Sequence, residues 1–154
     1  MSALNGKFIV LDGIDGCGKG IQTKLLSDFF IQKGLSVINK KYPDYGKPIG
    51  DLIHNYLYKK LDLNLSAELL LYIADHIKDK EYLQNCLKND KIIIADRYLT
   101  STLVYQSLKG TPQEKILNLI NLMEAPRPDL CILIKISAET SLARKIKEKG
   151  EKLD

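Results

Sequence analysis

The sequence predicts an α/β fold in which a parallel sheet is flanked by helices on both faces. Two observations carry this. Short, continuous apolar runs recur at Lys7 to Asp12, Leu35 to Asn39, Lys91 to Ala95 and Leu130 to Ile136. Such runs read as strands buried on both sides. Segments with helical spacing separate them, and strands alternating with helices imply parallel pairing through right-handed crossovers.

Each element has its own local signals. The first strand, KFIVLD, ends at Gly13. Lys19 to Lys33 places Ile21, Leu25, Leu26, Phe29 and Phe30 on one apolar stripe, and Gly34 stops that helix. Tyr42 to Pro48 holds two prolines and one glycine and reads as a loop. Ile49 to Lys60 and Ser66 to Lys88 read as helices, the second with an acidic start at Ser66 and Glu68. Tyr98 to Leu108 follows the third strand as a helix. Pro112 to Met123 is the next, with Pro112 suited to a first helical position. Ala138 to Lys149 is the last, stopped by Gly150. With 154 residues, 45% of them hydrophobic, the chain forms one domain over 1–154.

Composition narrows function by exclusion. The net charge of +4, from 23 basic and 19 acidic residues, fits a polyanionic small molecule and gives no support to nucleic-acid binding. Cys17, Cys86 and Cys131 have no metal-ligand spacing and suit a reducing cytoplasm. The N-terminus lacks the pattern of a signal peptide, and no apolar stretch nears the ~20 residues that span a bilayer.

The candidate site segments follow the first, second and third strands, at the carboxyl edge where ligands of such sheets bind. Gly13-Ile14-Asp15-Gly16-Cys17-Gly18-Lys19 matches G-x-x-x-x-G-K between a strand and a helix. Its glycines let backbone N–H groups curl around phosphate oxygens, at the positive end of a helix dipole, and Lys19 adds a full charge. The alternative reading is a glycine-rich turn with an incidental lysine. The motif predicts a three-layer P-loop NTPase fold that binds ATP along Gly13 to Gly20. Position 20 normally carries a Ser or Thr hydroxyl for Mg²⁺; here it is Gly20, which offers only backbone.

Asp96-Arg97 closes the third strand. Asp96 suits a Mg²⁺-bound water, and Arg97 can fork onto a phosphate, although the two could simply pair and order a loop. Asp15 would repel phosphate and is better matched to a sugar hydroxyl. Tyr72 and His76 share a helical face, either as a base-stacking ring with an edge-reading imidazole or as core residues. Ser101, Thr102 and Tyr105 share another, as a pocket wall or a satisfied flank. The Arg144 to Lys149 charge run reads as a solvated face or the opening of a basic lid.

Three segments together resemble thymidylate kinases: GKFIVLDGIDGCGKGIQTKLL, DRYLTSTLVYQ and PRPDLCILIKISAETSLARKIKEKG. YPDYGKPIGDLI and AELLLYIADH match more loosely, so the resemblance covers nearly the whole chain. It implies transfer of a phosphate from ATP to dTMP in deoxynucleotide biosynthesis, with Mg²⁺, by a cytoplasmic homodimer. Within it, Asp15 faces the acceptor sugar and phosphate, Arg97 grips the acceptor phosphate, and Tyr72 stacks on the base. Tyr105 crowds the ribose 2′ position, and Thr102 and Gln106 lie by the base pocket. His76 and Tyr45 stand where the family usually has arginines. The resemblance also implies a lid beginning at Lys149 to Asp154, then a fifth strand and a closing helix beyond this chain. Without a fifth strand, the CILIKI run is a sheet edge. Two further readings stay open: a nucleotide-binding protein impaired by Gly20, and a kinase for another monophosphate such as uridylate.

Overall fold

The computed structural model describes residues 6–150, without the side chains of 148–150; the segment 151–154, within the expected start of a lid, lies outside the described residues. Four strands form one parallel sheet: β1 (Lys7–Asp12), β2 (Val37–Lys41), β3 (Ile92–Asp96) and β4 (Leu130–Leu133). Their spatial order is β2-β3-β1-β4. Register runs from Lys7 opposite Ile92 to Leu11 opposite Asp96, so the ends of β1 and β3 lie side by side.

Alternation along the strands explains the three layers. Phe8 and Val10 of β1, with Ile93 and Ala95 of β3, face one side and pack with Tyr42, Leu83, Cys86 and Tyr98. Ile9, Leu11, Ile92 and Ile94 face the other and meet Leu26 and Phe30 of α1 (Lys19–Gln32). Side chains of period two thus bury both faces of the sheet. A third cluster joins Leu69, Ile73 and Ile116, from α3 (Leu65–Ile77) and α6 (Gln113–Leu122). The remaining helices are α2 (Pro48–Leu57), α4 (Lys80–Lys88), α5 (Leu99–Leu108) and α7 (Ala138–Gly150).

Several expectations shift. β2 begins two residues later than its apolar run and ends at Lys41, because its pairing with β3 runs from Val37–Ile92 to Lys41–Asp96. β4 stops at Leu133, short of Ile136, where its pairing with Asp12 ends. The expected single helix from Ser66 to Lys88 is two, α3 and α4, broken where Lys78 turns to bridge Asp44, Asp75 and Asp79. Asn64, not Ser66, caps α3, accepting from the Ala67 amide at 2.9 Å. Pro112 sits one residue earlier than expected, at the N-cap of α6. The α1 stripe is also rotated: Ile21, Leu25 and Phe29 are exposed, while Thr23 and Ser27 are buried against the sheet beside Leu26 and Phe30. Small hydroxyl residues let this helix lie close to the sheet, with Ser27 Oγ 2.8 Å from the Thr23 carbonyl and 2.7 Å from Asn39 Oδ1. As expected, β4 is a sheet edge among the described residues, with Leu130, Ile132 and Leu133 exposed.

Candidate active site

Residues 13–18 link β1 to α1 in a tight curl. Gly13 has φ +146°, and a Cβ there would fall 2.5 Å from the Ile134 carbonyl oxygen, so only glycine fits. Gly18 is left-handed, and no side chain caps the first turn of α1. The first amides of a helix have no intrahelical acceptor, so this end is open to an anion. Lys19 Nζ folds back over the loop, donating to the Gly13 and Ile14 carbonyls at 2.9 and 3.0 Å, with Cys17 Sγ 3.7 Å away. At Gly20, a built Cβ meets nothing within 4 Å, so the space of a side chain stands open.

At the end of β3, Asp96 is buried and its Oδ1 has no hydrogen-bond partner among the described residues. Burial raises its carboxyl above the usual range, against the pull of Lys19 and Lys41. An orphaned carboxylate oxygen and an open Gly20 position fit a hydrated cation held through water.

Arg97 follows with φ +70°, an uncommon backbone for a non-glycine residue, fixed by its amide donating to the Leu11 carbonyl at 2.9 Å. The alternative reading of an Asp96–Arg97 pair is not what forms. Its guanidinium donates to Asp15 at 2.5 Å and to Ser101 Oγ at 3.0 Å, with Asp12 at 3.7 Å. Asp15 also accepts from Lys145 at 2.8 Å, while Arg144 donates to the Gly16 carbonyl at 2.9 Å. The charge run of α7 therefore closes on the phosphate loop rather than facing solvent alone. Burial works to raise the Asp15 carboxyl, but Lys145 and Arg97 hold it below its ordinary value.

From Asp15 and Arg97 a cavity of ≈ 310 Å³ runs inward. Tyr42, Pro43, Tyr45, Tyr72, His76, Ser101, Thr102, Tyr105 and Gln106 line it, with Glu68, Asp75 and Lys109 among the remaining walls. The predicted site residues from α3 and α5 thus meet in one place. The Arg97 guanidinium lies 5.8 Å over the Tyr105 ring. His76 Nε2 is 3.0 Å from Thr102 Oγ1, and its ring meets Tyr42 and Tyr98 at T-shaped angles. Burial pushes its imidazole down to about 3, with the Lys78 charge acting in the same direction. Gln106 Nε2 donates to Glu68 at 2.9 Å.

A family model for thymidylate kinase matches residues 11–154. The chain belongs to the thymidylate kinase family. A probable thymidylate kinase of Pyrococcus abyssi is 36% identical over 146 residues, covering 92% of this chain and 70% of the relative. The thymidylate kinase of Desulfotalea psychrophila is 36% identical over 152 residues, covering 98% and 74%. Among solved structures, that of the Ehrlichia chaffeensis thymidylate kinase superposes with a TM-score of 0.76 at 27% identity, over 96% of this chain and 89% of that one. The Candida albicans thymidylate kinase gives 0.73 at 29%, over 92% and 68%. The parallel sheet with a phosphate loop after β1 is the fold of this thymidylate kinase family.

Sequence reasoning missed part of this thymidylate kinase cavity. Glu68 was read only as a helix-start acid, yet its side chain is fully buried and accepts from Tyr56 at 2.7 Å, Gln106, and Lys109 at 2.5 Å. Burial acts to raise its carboxyl, and these donors hold it low. The signal available was its spacing, one turn before Tyr72 on the same face. Lys78 was equally silent: it ties Asp44, Asp75 and Asp79 together and lies 5.1 Å over the Tyr42 ring. Asp75 and Asp79 are its neighbours in sequence, but Asp44 and Tyr42 come from a distant loop, which sequence spacing does not encode.

Proposed function

We propose that this protein transfers the γ-phosphoryl group of ATP to thymidine monophosphate, giving ADP and thymidine diphosphate, in nucleotide biosynthesis in the cytoplasm. The observation that carries this reading is the Asp15–Arg97 link, which joins the phosphate loop to the cavity at the shared edge of β1 and β3. A donor phosphate on the loop and an acceptor phosphate at Arg97 then stand at neighbouring positions, as in-line transfer requires.

The residues take distinct parts. Amides from Gly13 to Gly20 cradle the ATP phosphates, and Lys19 swings from the Gly13 and Ile14 carbonyls onto the terminal phosphates. Arg97 exchanges Asp15 for the acceptor phosphate and neutralises charge that develops in the transition state. Asp15, released, faces the acceptor sugar. Tyr72 stacks on the base, Tyr105 closes on the 2′ position, and Ser101, Thr102, His76 and Gln106 bound the acceptor cavity. Mg²⁺ supplies charge neutralisation for the β- and γ-phosphates when bound; Asp96 would hold it through water, beside the open Gly20. Exposed Val104 and Leu108 on α5, with Leu117 and Leu122 on α6, support a homodimer through these helices. No helix among the described residues is long and apolar enough to cross a membrane.

A coupled assay of ADP release with thymidine monophosphate tests the reading. Turnover is expected, with a Tyr105-dependent preference for the deoxyribose form over uridine monophosphate. No ADP release with any deoxynucleoside monophosphate would sink it.

A further inference from the structure

The base end of the cavity has no uncommitted cation. Of its lining side chains, Lys109 is spent on Glu68 at 2.5 Å and Arg97 on Asp15 at the phosphate end. Among the polar groups that line it are the His76 imidazole, the Thr102 hydroxyl and the Gln106 amide. His76 and Thr102 are 3% and 4% exposed, and they meet only through Nε2 and Oγ1 at 3.0 Å. The other ring nitrogen, Nδ1, is buried with no hydrogen-bond partner among the described residues.

That orphan atom matters because the tautomer of a histidine is normally set by the bond its second nitrogen makes. Here nothing sets it. When Nε2 carries the proton, it donates to Thr102 and leaves the threonine O–H free to donate. When Nδ1 carries it, Thr102 donates to Nε2 and its oxygen is left as an acceptor. A hydroxyl plays either part at no geometric cost. The pair can therefore present opposite polarities to a bound base.

Pyrimidines differ in that respect. Thymine offers an acceptor, O4, where cytosine offers the N4 amino group. We propose that the His76–Thr102 pair reads the pyrimidine edge in both polarities, so that the site takes 2′-deoxycytidine monophosphate as an acceptor beside thymidine monophosphate. This rests on the reading of the cavity as a nucleoside monophosphate site. The reaction is the same for both. A 5′-phosphate oxygen forms the new P–O bond as the bond from the γ-phosphorus to the ADP oxygen breaks, and no proton is consumed.

Calorimetric titration with dTMP and dCMP, together with the ADP-release assay, tests it. A fixed hydrogen-bonding site rejects the mismatched partner by about 10⁴ or more. The invertible pair predicts dissociation constants within about tenfold of each other and turnover of both. Binding of dTMP with a larger gap to dCMP overturns the inference and leaves the kinase reading standing; binding of neither overturns both. Thr102→Val, which keeps the shape and removes the hydroxyl, is expected to weaken both ligands by similar factors, and loss of dTMP alone overturns the proposal. In the unmodified protein, imidazole ¹⁵N shifts should report the Nε2–H form with dTMP and the Nδ1–H form with dCMP. One tautomer in both complexes overturns it.

Discussion

At the phosphate loop, backbone dominates: four of the eight residues from Gly13 to Gly20 are glycines, three of them with positive φ, and Lys19 is the sole cation of the run. At the acceptor cavity, side chains dominate, and most already hold a partner. Glu68 accepts three bonds, Lys78 bridges three carboxylates, and Arg97 spans Asp15 and Ser101. The donor end binds a group common to all nucleoside triphosphates and can be generic. The acceptor end must hold a molecule with several distinct parts, so most of its polar groups, the His76–Thr102 pair excepted, are fixed in advance, and tightly paired buried groups make it the more fragile half.

The largest effect should come from removing the cation that lies within the phosphate loop's own run. Lys19→Ala is expected to lower turnover with thymidine monophosphate by about 10²- to 10³-fold, the usual cost of deleting one preorganised donor. Thermal stability should change little, because Lys19 bonds only groups of the loop itself, the Gly13 and Ile14 carbonyls and Cys17 Sγ. A stability loss equal to that of cavity variants would erase the contrast between the two ends. At the acceptor end, the pH profile of folding carries the next effect. His76 titrates near 3 when folded, against about 6.5 when unfolded. The folded state then holds fewer protons than the unfolded one between those values. Stability is therefore complete above pH 6.5 and falls as pH drops towards 3. Between pH 6.5 and 5 the loss should be about 2 kcal/mol, a melting shift of about 4–8 °C, and His76→Gln should flatten it. Smaller again is Glu68→Gln, which leaves Lys109 without its carboxylate. Lys109 is 40% exposed and can turn to water, so the expected cost is about 1–2 kcal/mol, below that of a sealed pair. Equal melting temperatures for the variant and the parent would show that the buried network adds nothing.

The same division decides what could be read from the sequence. The donor end was legible because its parts are contiguous: a strand, a glycine run, a lysine and a helix follow one another from Lys7 to Gln32. The strands were legible because both faces of β1 and β3 are buried and the runs are unbroken. The α1 stripe misled, since apolar spacing cannot tell which face meets the sheet once Thr23 and Ser27 pack there. The α3–α4 break was invisible because its cause, Lys78 drawn to Asp44, lies 34 residues away from that partner. Of the cavity, Tyr72, His76, Thr102, Tyr105 and Gln106 were found through helical spacing and family resemblance. Glu68, Asp75 and Lys109 were not, because each has a partner on a distant segment: Tyr56, Gln106 and Lys109 for Glu68, and the Asp44 amide for Asp75.

Gly20 sharpens the contrast most finely, because it is the place where the donor end has less than the motif normally provides. Beyond its chain neighbours and the backbone of its own helix, a serine Cβ added there meets no atom within 4 Å, so the substitution introduces no clash. Glycine also costs up to about 1 kcal/mol against other residues within a helix, less in the first turn, so Gly20→Ser should not destabilise. On the reading proposed above, the added hydroxyl supplies the Mg²⁺ ligand that the motif normally carries at this position. It should therefore lower the Mg²⁺ concentration needed for half-maximal ADP release and raise turnover by about five- to tenfold, a change of about 1 kcal/mol in the barrier. Acceptor dissociation constants should stay fixed, because no atom of the cavity wall moves. A gain in turnover accompanied by tighter acceptor binding would mean that the two ends are coupled through Asp15 and Arg97, and the division drawn between them would give way to a single cooperative site.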